Sequence, residues 1–228
     1  SDEEGYENLP PNRLRKQVHG SDSRSSFVLE GYSCFRKLDF IVSEFLGKGL
    51  ISTTPVLDWG CGCGRVCRYF PDEGVELHGV DVNEEAIAWC LSTLSHRFAV
   101  SDTKPPLPFD DDYFAVVYGV SILTHLGLED QDKWIEELIR VTKRGGIIIL
   151  SFHGFDSLLR MNLGQRDLDR LYEKGFLDLG KNNAFPDDSK LGVSYLDIVQ
   201  LPSSLETIMR AYDVEMSFFR GVFGNHQD

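Results

Sequence analysis

The sequence predicts an α/β domain: a doubly wound, mostly parallel sheet with helices on both faces. Short, almost wholly apolar runs recur at 114–120 and 147–152, with helix-patterned stretches between them. Strands covered on both faces read as continuous apolar runs, and parallel strands need helical crossovers. An earlier short run opens into a glycine-rich turn, Gly60-Cys61-Gly62-Cys63-Gly64, and acids stand just beyond the second and third strands. Open α/β sheets bind their ligands at that carboxyl edge.

Taken in order, residues 1–25 are polar, carry Pro10-Pro11 and several Ser, and read as an arm or lid ahead of a domain spanning 26–228. Over 26–46, Val28, Tyr32, Phe35, Leu38, Val42 and Phe45 recur every three or four positions, which predicts an amphipathic helix stopped by Gly47 and Gly49. A strand is predicted at 55–58, a helix beginning at 65–70, and a second strand at 75–80 with Asp81 just past its end. Asn83 is a suitable N-cap for a helix carrying Ile87, Cys90, Leu91 and Leu94. Further strands are read at 97–100 and 114–120, then a helix at 129–142 with Trp134, Leu138 and Val141 on one face. Gly145-Gly146 is expected to end that helix and launch the strand at 147–152.

Beyond the fifth strand, residues 154–200 hold helix-like pieces at 158–163 and 168–174 and a polar loop at 182–190. That is more chain than a crossover needs and reads as a cap-like insertion. A helix at 204–211 and a sixth strand at 214–220 complete the Rossmann-like pattern. The chain stops at Asp228, so a last, antiparallel strand is expected to be truncated.

Composition narrows the function. Apolar residues make up 42% and charged residues 26% of the 228, which fits a chain with a sizeable core and excludes disorder. The 23 basic and 36 acidic residues leave a net charge of -13, which disfavours a nucleic-acid partner. No apolar run reaches the ~18–20 residues of a membrane span. Ser1-Asp2-Glu3-Glu4 lacks the basic start and apolar middle of a signal peptide. It also lacks Met, so a trimmed start is expected. Five Cys, three of them crowded at Cys61, Cys63 and Cys67, read as free thiols in a reducing, cytoplasmic compartment. Their spacing is not the paired C-x2-C of zinc sites, so no metal is expected.

The glycine turn carries the functional reading. A dinucleotide fingerprint needs glycine at its first, third and sixth positions. Counted from Gly60, the sixth position is Arg65, whose side chain opposes tight helix–strand packing. Asp58, two residues before Gly60, would repel a diphosphate but attract a cation. Asp81 is placed to accept both hydroxyls of a ribose or to cap the next helix. Asp102, with Thr103 beside it, is placed to accept from an adenine amino group or to serve a turn.

Val56–Gly64, Leu77–Asn83, Asp102 with Leu107-Pro108-Phe109, Leu123-Thr124-His125-Leu126 and Gly145-Gly146-Ile147 are similar to motifs of the class I S-adenosylmethionine-dependent methyltransferases. The chain resembles their type 11/type 12 small-molecule group over residues 55–152. The resemblance implies S-adenosylmethionine as cofactor, with S-adenosylhomocysteine as product. It implies a cofactor site made by Asp58, Gly60, Cys61, Gly62, Gly64, Asp81, Val82, Asp102, Thr103 and Gly119. It also implies in-line methyl transfer to a small-molecule acceptor, preferably a hydroxyl of a sugar or secondary metabolite. The alternatives are an NAD(P)-dependent oxidoreductase and a non-catalytic S-adenosylmethionine-binding protein. His125 and His153, each following a strand, are candidate general bases or structural histidines. His19 in the arm, Tyr6 and Tyr195 are candidate substrate contacts. Tyr118 is either a contact or packing.

Overall fold

A computed structural model of the chain describes residues 8–158, 161, 163–181, 196–212 and 214–218. Two helices lead in, α1 (Asn12–His19) and α2 (Arg24–Leu46). The main sheet is formed by β1 (Val56–Trp59), β2 (Leu77–Asp81), β3 (Arg97–Val100), β4 (Phe114–Gly119) and β5 (Thr142–Leu150), with α3 (Glu84–Thr93) and α4 (Leu128–Val141) as crossovers. All four pairings are parallel and the strand order is β3-β2-β1-β4-β5. The chain therefore reverses its winding between β1 and β4, and the crevice beyond their carboxyl ends is the topological switch point.

The strands alternate between two cores. Val56, Leu77, Val116 and Tyr118 join Leu38, Ile41, Ile87 and Cys90 of α2 and α3 on one face. Leu57, Trp59, Val80, Phe114 and Val117 join Trp134, Ile135, Leu138 and Val141 of α4 on the other. Each face is apolar because each is covered, as expected for a doubly wound sheet. Local signals fix the helix ends. The Ser23 hydroxyl accepts from the Ser26 N–H at 3.2 Å to start α2, and Gly47 ends it at φ 68°. Asn83 Oδ1 accepts from Glu85 and Ala86 at 3.1 Å to start α3.

Three elements differ from expectation. The helix expected at 65–70 is a single 3-10 turn, Cys67–Tyr69. Left-handed Gly64 precedes it and Pro71 follows, and a residue before proline is pushed out of the helical region, as Phe70 is at φ -79°, ψ 140°. Gly145-Gly146 does not separate helix from strand. α4 ends at Val141, β5 begins at Thr142, and the register against β4 shifts between Phe114 and Val116. Gly145 takes φ 75° inside that irregularity. The sixth strand expected at 214–220 is absent over 214–218. There Met216 packs on the α4-side core and Phe218 meets Phe152 edge-on at 6.2 Å.

The region read as a cap holds α5 (Phe155–Leu158), α6 (Gln165–Lys174), and a separate antiparallel pair, β6 (Phe176–Lys181) and β7 (Leu196–Gln200), followed by α7 (Pro202–Met209). Leu171 of α6 packs with Leu177, Val199 and Leu201. A bridge between His153 and Val199 ties this pair to the end of β5, and β7 also lies against the 3-10 turn Leu123–His125. The polar loop expected at 182–190 lies outside the described residues. Among the described residues, no helix is long and apolar enough to cross a membrane.

Candidate active site

The turn after β1 is held by glycines that no other residue could replace without strain. Gly60, Gly62 and Gly64 take φ of 78°, 54° and 75°. The backbone N–H groups of Gly60 and Cys61 both donate to the Val80 carbonyl, at 2.8 and 3.0 Å, so the turn folds back over β2. A Cβ on Gly60 would meet Ile122 Cδ1 at 2.1 Å, and one on Gly62 would meet Val18 Cγ1 at 2.3 Å. The turn is thus covered from the arm by Val18 and from the β4 side by Ile122. Cys61 and Cys63 point into the core, and burial pushes both thiols up, Cys63 to about 12. What the turn offers a ligand is backbone.

Asp81 closes the turn from β2. Its Oδ2 accepts from the Gly62 N–H at 2.8 Å and its Oδ1 from the Asn83 N–H at 2.8 Å. The side chain is half-buried, with Val82 beside it. Burial raises its pKa, and the N–H donors of Asn83, Gly62 and Val82 oppose that rise. Helix capping falls instead to Asn83, so the bland role weighed for Asp81 belongs to its neighbour.

Asp58 lies on the α2/α3 face of β1. It is 4% exposed, and its Oδ2 accepts from the Tyr118 hydroxyl at 2.8 Å and the Cys67 thiol at 3.0 Å. Burial pushes its pKa up to about 6, while those two donors and the charge of Arg65 pull it down. Tyr118 is fully buried and serves Asp58 rather than a substrate. The β2–β3 ladder runs one residue further, with the Ser101 N–H donating to the Asp81 carbonyl at 2.9 Å. Asp102 and Thr103 follow, exposed beyond the sheet edge. Gly119 is buried, and a Cβ there would meet Trp59 Cε3 at 2.6 Å, so packing alone accounts for that glycine.

The ends of β4 and β5 are tied together. The Ser121 N–H donates to the Ser151 hydroxyl at 2.8 Å, and the Ser151 N–H donates to the Gly119 carbonyl at 3.1 Å. Ser121 sits at φ 67°, an uncommon conformation outside glycine. It turns the chain into the 3-10 segment that ends in His125, which is half-buried. Fully buried Gln131 pins this segment, its Nε2 donating to the Leu123 and Leu126 carbonyls at 2.9 and 3.1 Å. His153 stands at the end of β5, bridged to β7. Both histidines therefore reach the carboxyl edge, next to the switch point.

His19 is placed differently. Its Nε2 lies 2.9 Å from Ser26 Oγ and 3.6 Å from Glu30 Oε2, its side chain is 2% exposed, and its ring meets Phe27 edge-on. Burial and Arg65 lower its pKa. It fastens the arm to α2 while its neighbour Val18 covers the turn. Arg15 organises the same arm, donating to the Pro10 carbonyl and, at 3.2 and 2.8 Å, to the Asp22 carbonyl. Tyr6 and Tyr195 lie outside the described residues. Sequence reasoning missed Val18, Ser121, Gln131 and Ser151, because their roles are backbone contacts and packing that leave no motif. A shallow cavity lined by Thr54, Gly74–Leu77 and Ser95–Arg97 opens at the opposite, amino edge. That is the wrong end of the strands for a ligand site in this architecture.

A parallel sheet reversed between β1 and β4, with a glycine turn and a carboxylate meeting at the reversal, defines a doubly wound α/β domain with its candidate site at the switch point. Residues 57–150 match the family model described as a methyltransferase domain. The fold is that of the PH0226 protein of Pyrococcus horikoshii OT3, with a TM-score of 0.59 at 21% identity over 93% of this chain and 92% of that one. A SAM-dependent methyltransferase of Methanosarcina mazei is similar in fold, with a TM-score of 0.58 at 21% identity over 79% of this chain and 86% of that one. The 2-methyl-6-phytyl-1,4-hydroquinone methyltransferase of Synechocystis sp. is 31% identical over 123 residues, 50% of this chain and 38% of that protein. The tRNA (carboxymethyluridine(34)-5-O)-methyltransferase of Arabidopsis thaliana is 32% identical over 111 residues, 48% of this chain and 26% of that protein. The chain thus matches well under half the length of these curated relatives. Over residues 57–150 the chain is thus similar to methyltransferase domains, and it shares their doubly wound fold.

Proposed function

We infer that the protein transfers a methyl group from S-adenosylmethionine to a small-molecule acceptor, with a neutral hydroxyl as the preferred target. The observation that carries this reading is the Asp81 carboxylate bound to the Gly62 N–H at the switch point. It brings a ribose-accepting acid and a close-approach glycine turn into one wall. The residues present fit the cofactor. Gly60, Gly62 and Gly64 would take the amino-acid end, with Asp58 supplying negative charge behind them. Asp81 and Val82 would take the ribose, and Asp102 and Thr103 the adenine. When bound, S-adenosylmethionine supplies an electrophilic methyl group on a positively charged sulfur.

The chain's own part is binding, alignment and exclusion of water. Val18 and Ile122 cover the turn from two sides. The β6–β7 pair is bridged to His153 beyond β5 and packs on the Leu123–His125 turn beyond β4. His125, held by the segment that Gln131 pins, would accept the proton of a hydroxyl acceptor, with His153 as the second candidate. An NAD(P) site is disfavoured by Arg65 at the sixth fingerprint position and by a buried acid, Asp58, next to the turn. The net charge of -13 favours a small molecule over a polynucleotide, although one relative is named for tRNA. Five buried free thiols suit a reducing cytoplasm. Release of S-adenosylhomocysteine from S-adenosylmethionine over a panel of sugars, phenols and amines tests the reading. Turnover with a hydroxyl compound supports it, and turnover with amines alone replaces the acceptor class.

A further inference from the structure

Gln200, the last residue of β7, is 1% exposed, yet neither its Oε1 nor its Nε2 has a hydrogen-bond partner among the described residues. The alternation of the strand says which way this amide faces. Val199 and Leu201 pack with Leu171 and Leu177 beneath α6. Ile198 and Gln200 therefore occupy the opposite face, where Ile198 is fully buried. β7 lies against the 3-10 turn Leu123–His125, and the Gln200 backbone N–H donates to the His153 carbonyl at 3.0 Å. The orphaned carboxamide thus lies on the face of β7 turned away from α6, on a strand that borders His153 and the Leu123–His125 turn. Both candidate bases stand at that edge. Buried amides are as a rule paired, and leaving both ends unpaired opposes folding. Leu or Met would fill the same space without that cost.

We propose that Gln200 recognises the acceptor. Its carboxamide takes a neutral group that donates and accepts a hydrogen bond at once, a hydroxyl or a primary amide, and holds it beside His153. A carboxylate would satisfy Nε2 but set its charge against Oε1, and an ammonium would do the reverse, so charged groups are selected against. The proposal rests on the methyltransferase reading only for what is done to the group, not for its capture.

The test is a titration of 15N-labelled protein, with and without saturating S-adenosylhomocysteine, in which the Gln200 side-chain NH2 signals are assigned by their loss in Gln200→Leu. The probes are 2-propanol and acetamide, with acetone, which only accepts, as the control. The expected result is a saturable shift of the Gln200 signals with the first two probes and binding at least tenfold weaker for acetone. Gln200→Leu should melt no lower than the parent protein. Silent Gln200 signals overturn the proposal, as does a Gln200→Leu protein that melts several degrees lower, since the amide would then be bonded within the fold. S-adenosylhomocysteine binding is measured separately by calorimetry. If it fails while Gln200 responds, the methyltransferase reading falls and this one stands; if it succeeds while Gln200 is silent, the reverse holds.

Discussion

The carboxylate of Asp81, at the end of β2, accepts the backbone N–H of Gly62, in the turn that follows β1, at 2.8 Å. This single bond joins the two strands' ends into one wall and makes the acid part of the turn's geometry. Replacing Asp81 by Ala should weaken S-adenosylmethionine binding by about 1–3 kcal/mol, the usual cost of losing a charged hydrogen-bond partner. Calorimetric affinities for the two proteins check it. Equal affinities would take Asp81 out of the site.

If Asp58 stands behind bound S-adenosylmethionine, cofactor binding should depend on pH. Its pKa is raised to about 6 by burial. A cation near it favours the ionised form, so binding below that value must displace a proton. The dissociation constant of S-adenosylmethionine should therefore rise roughly tenfold for each unit below about pH 6. Asp58→Asn should bind more weakly at pH 8 and show no such slope. Stability of the free protein should move the other way. A folded-state pKa above the unfolded value stabilises below the unfolded value, and that contribution is lost as pH rises through about 6. Urea titrations of wild type and Asp58→Asn across pH 4–8 read the difference.

Gly62 is constrained twice, by φ 54° and by Val18 at 2.3 Å from a Cβ position. Gly62→Ala should cost about 1–3 kcal/mol of stability, the range for strained backbone, plus the contact with Val18. Combining it with Val18→Ala should restore the contact part only. Denaturant midpoints of the two variants should differ in that order, and identical midpoints would mean that the arm does not sit on the turn.

If His125 takes the acceptor's proton, His125→Ala should lower turnover by about 10²–10⁴-fold while leaving cofactor affinity unchanged. Full activity across pH would leave His125 as scaffolding.

Much of this was legible in the chain because the central strands are buried on both faces, and Phe114–Gly119 reads as apolar whichever face is considered. The turn was legible because left-handed glycines at 60, 62 and 64 have few substitutes. The helix expected at 65–70 is cut to one 3-10 turn because Pro71 pushes Phe70 out of the helical region. β6 and β7 were missed because Leu177 and Leu179 alternate like a strand for only a few residues before Gly180. Their pairing with residues some twenty positions later leaves no local signal. The same reason hid Gln200, whose character comes from what its neighbours fail to offer. Asp58 was read as a ligand acid from its spacing alone, and only the structure shows it as a core carboxylate held by Tyr118 and Cys67.

The central claim is that the turn and the two acids around it form a site for an adenosyl sulfonium. Parallel calorimetric titrations with S-adenosylmethionine and with NAD test it most directly. Saturable one-to-one binding of the first, lost in Asp81→Ala, and no heat from the second is the predicted result. Binding of NAD with indifference to S-adenosylmethionine would contradict it.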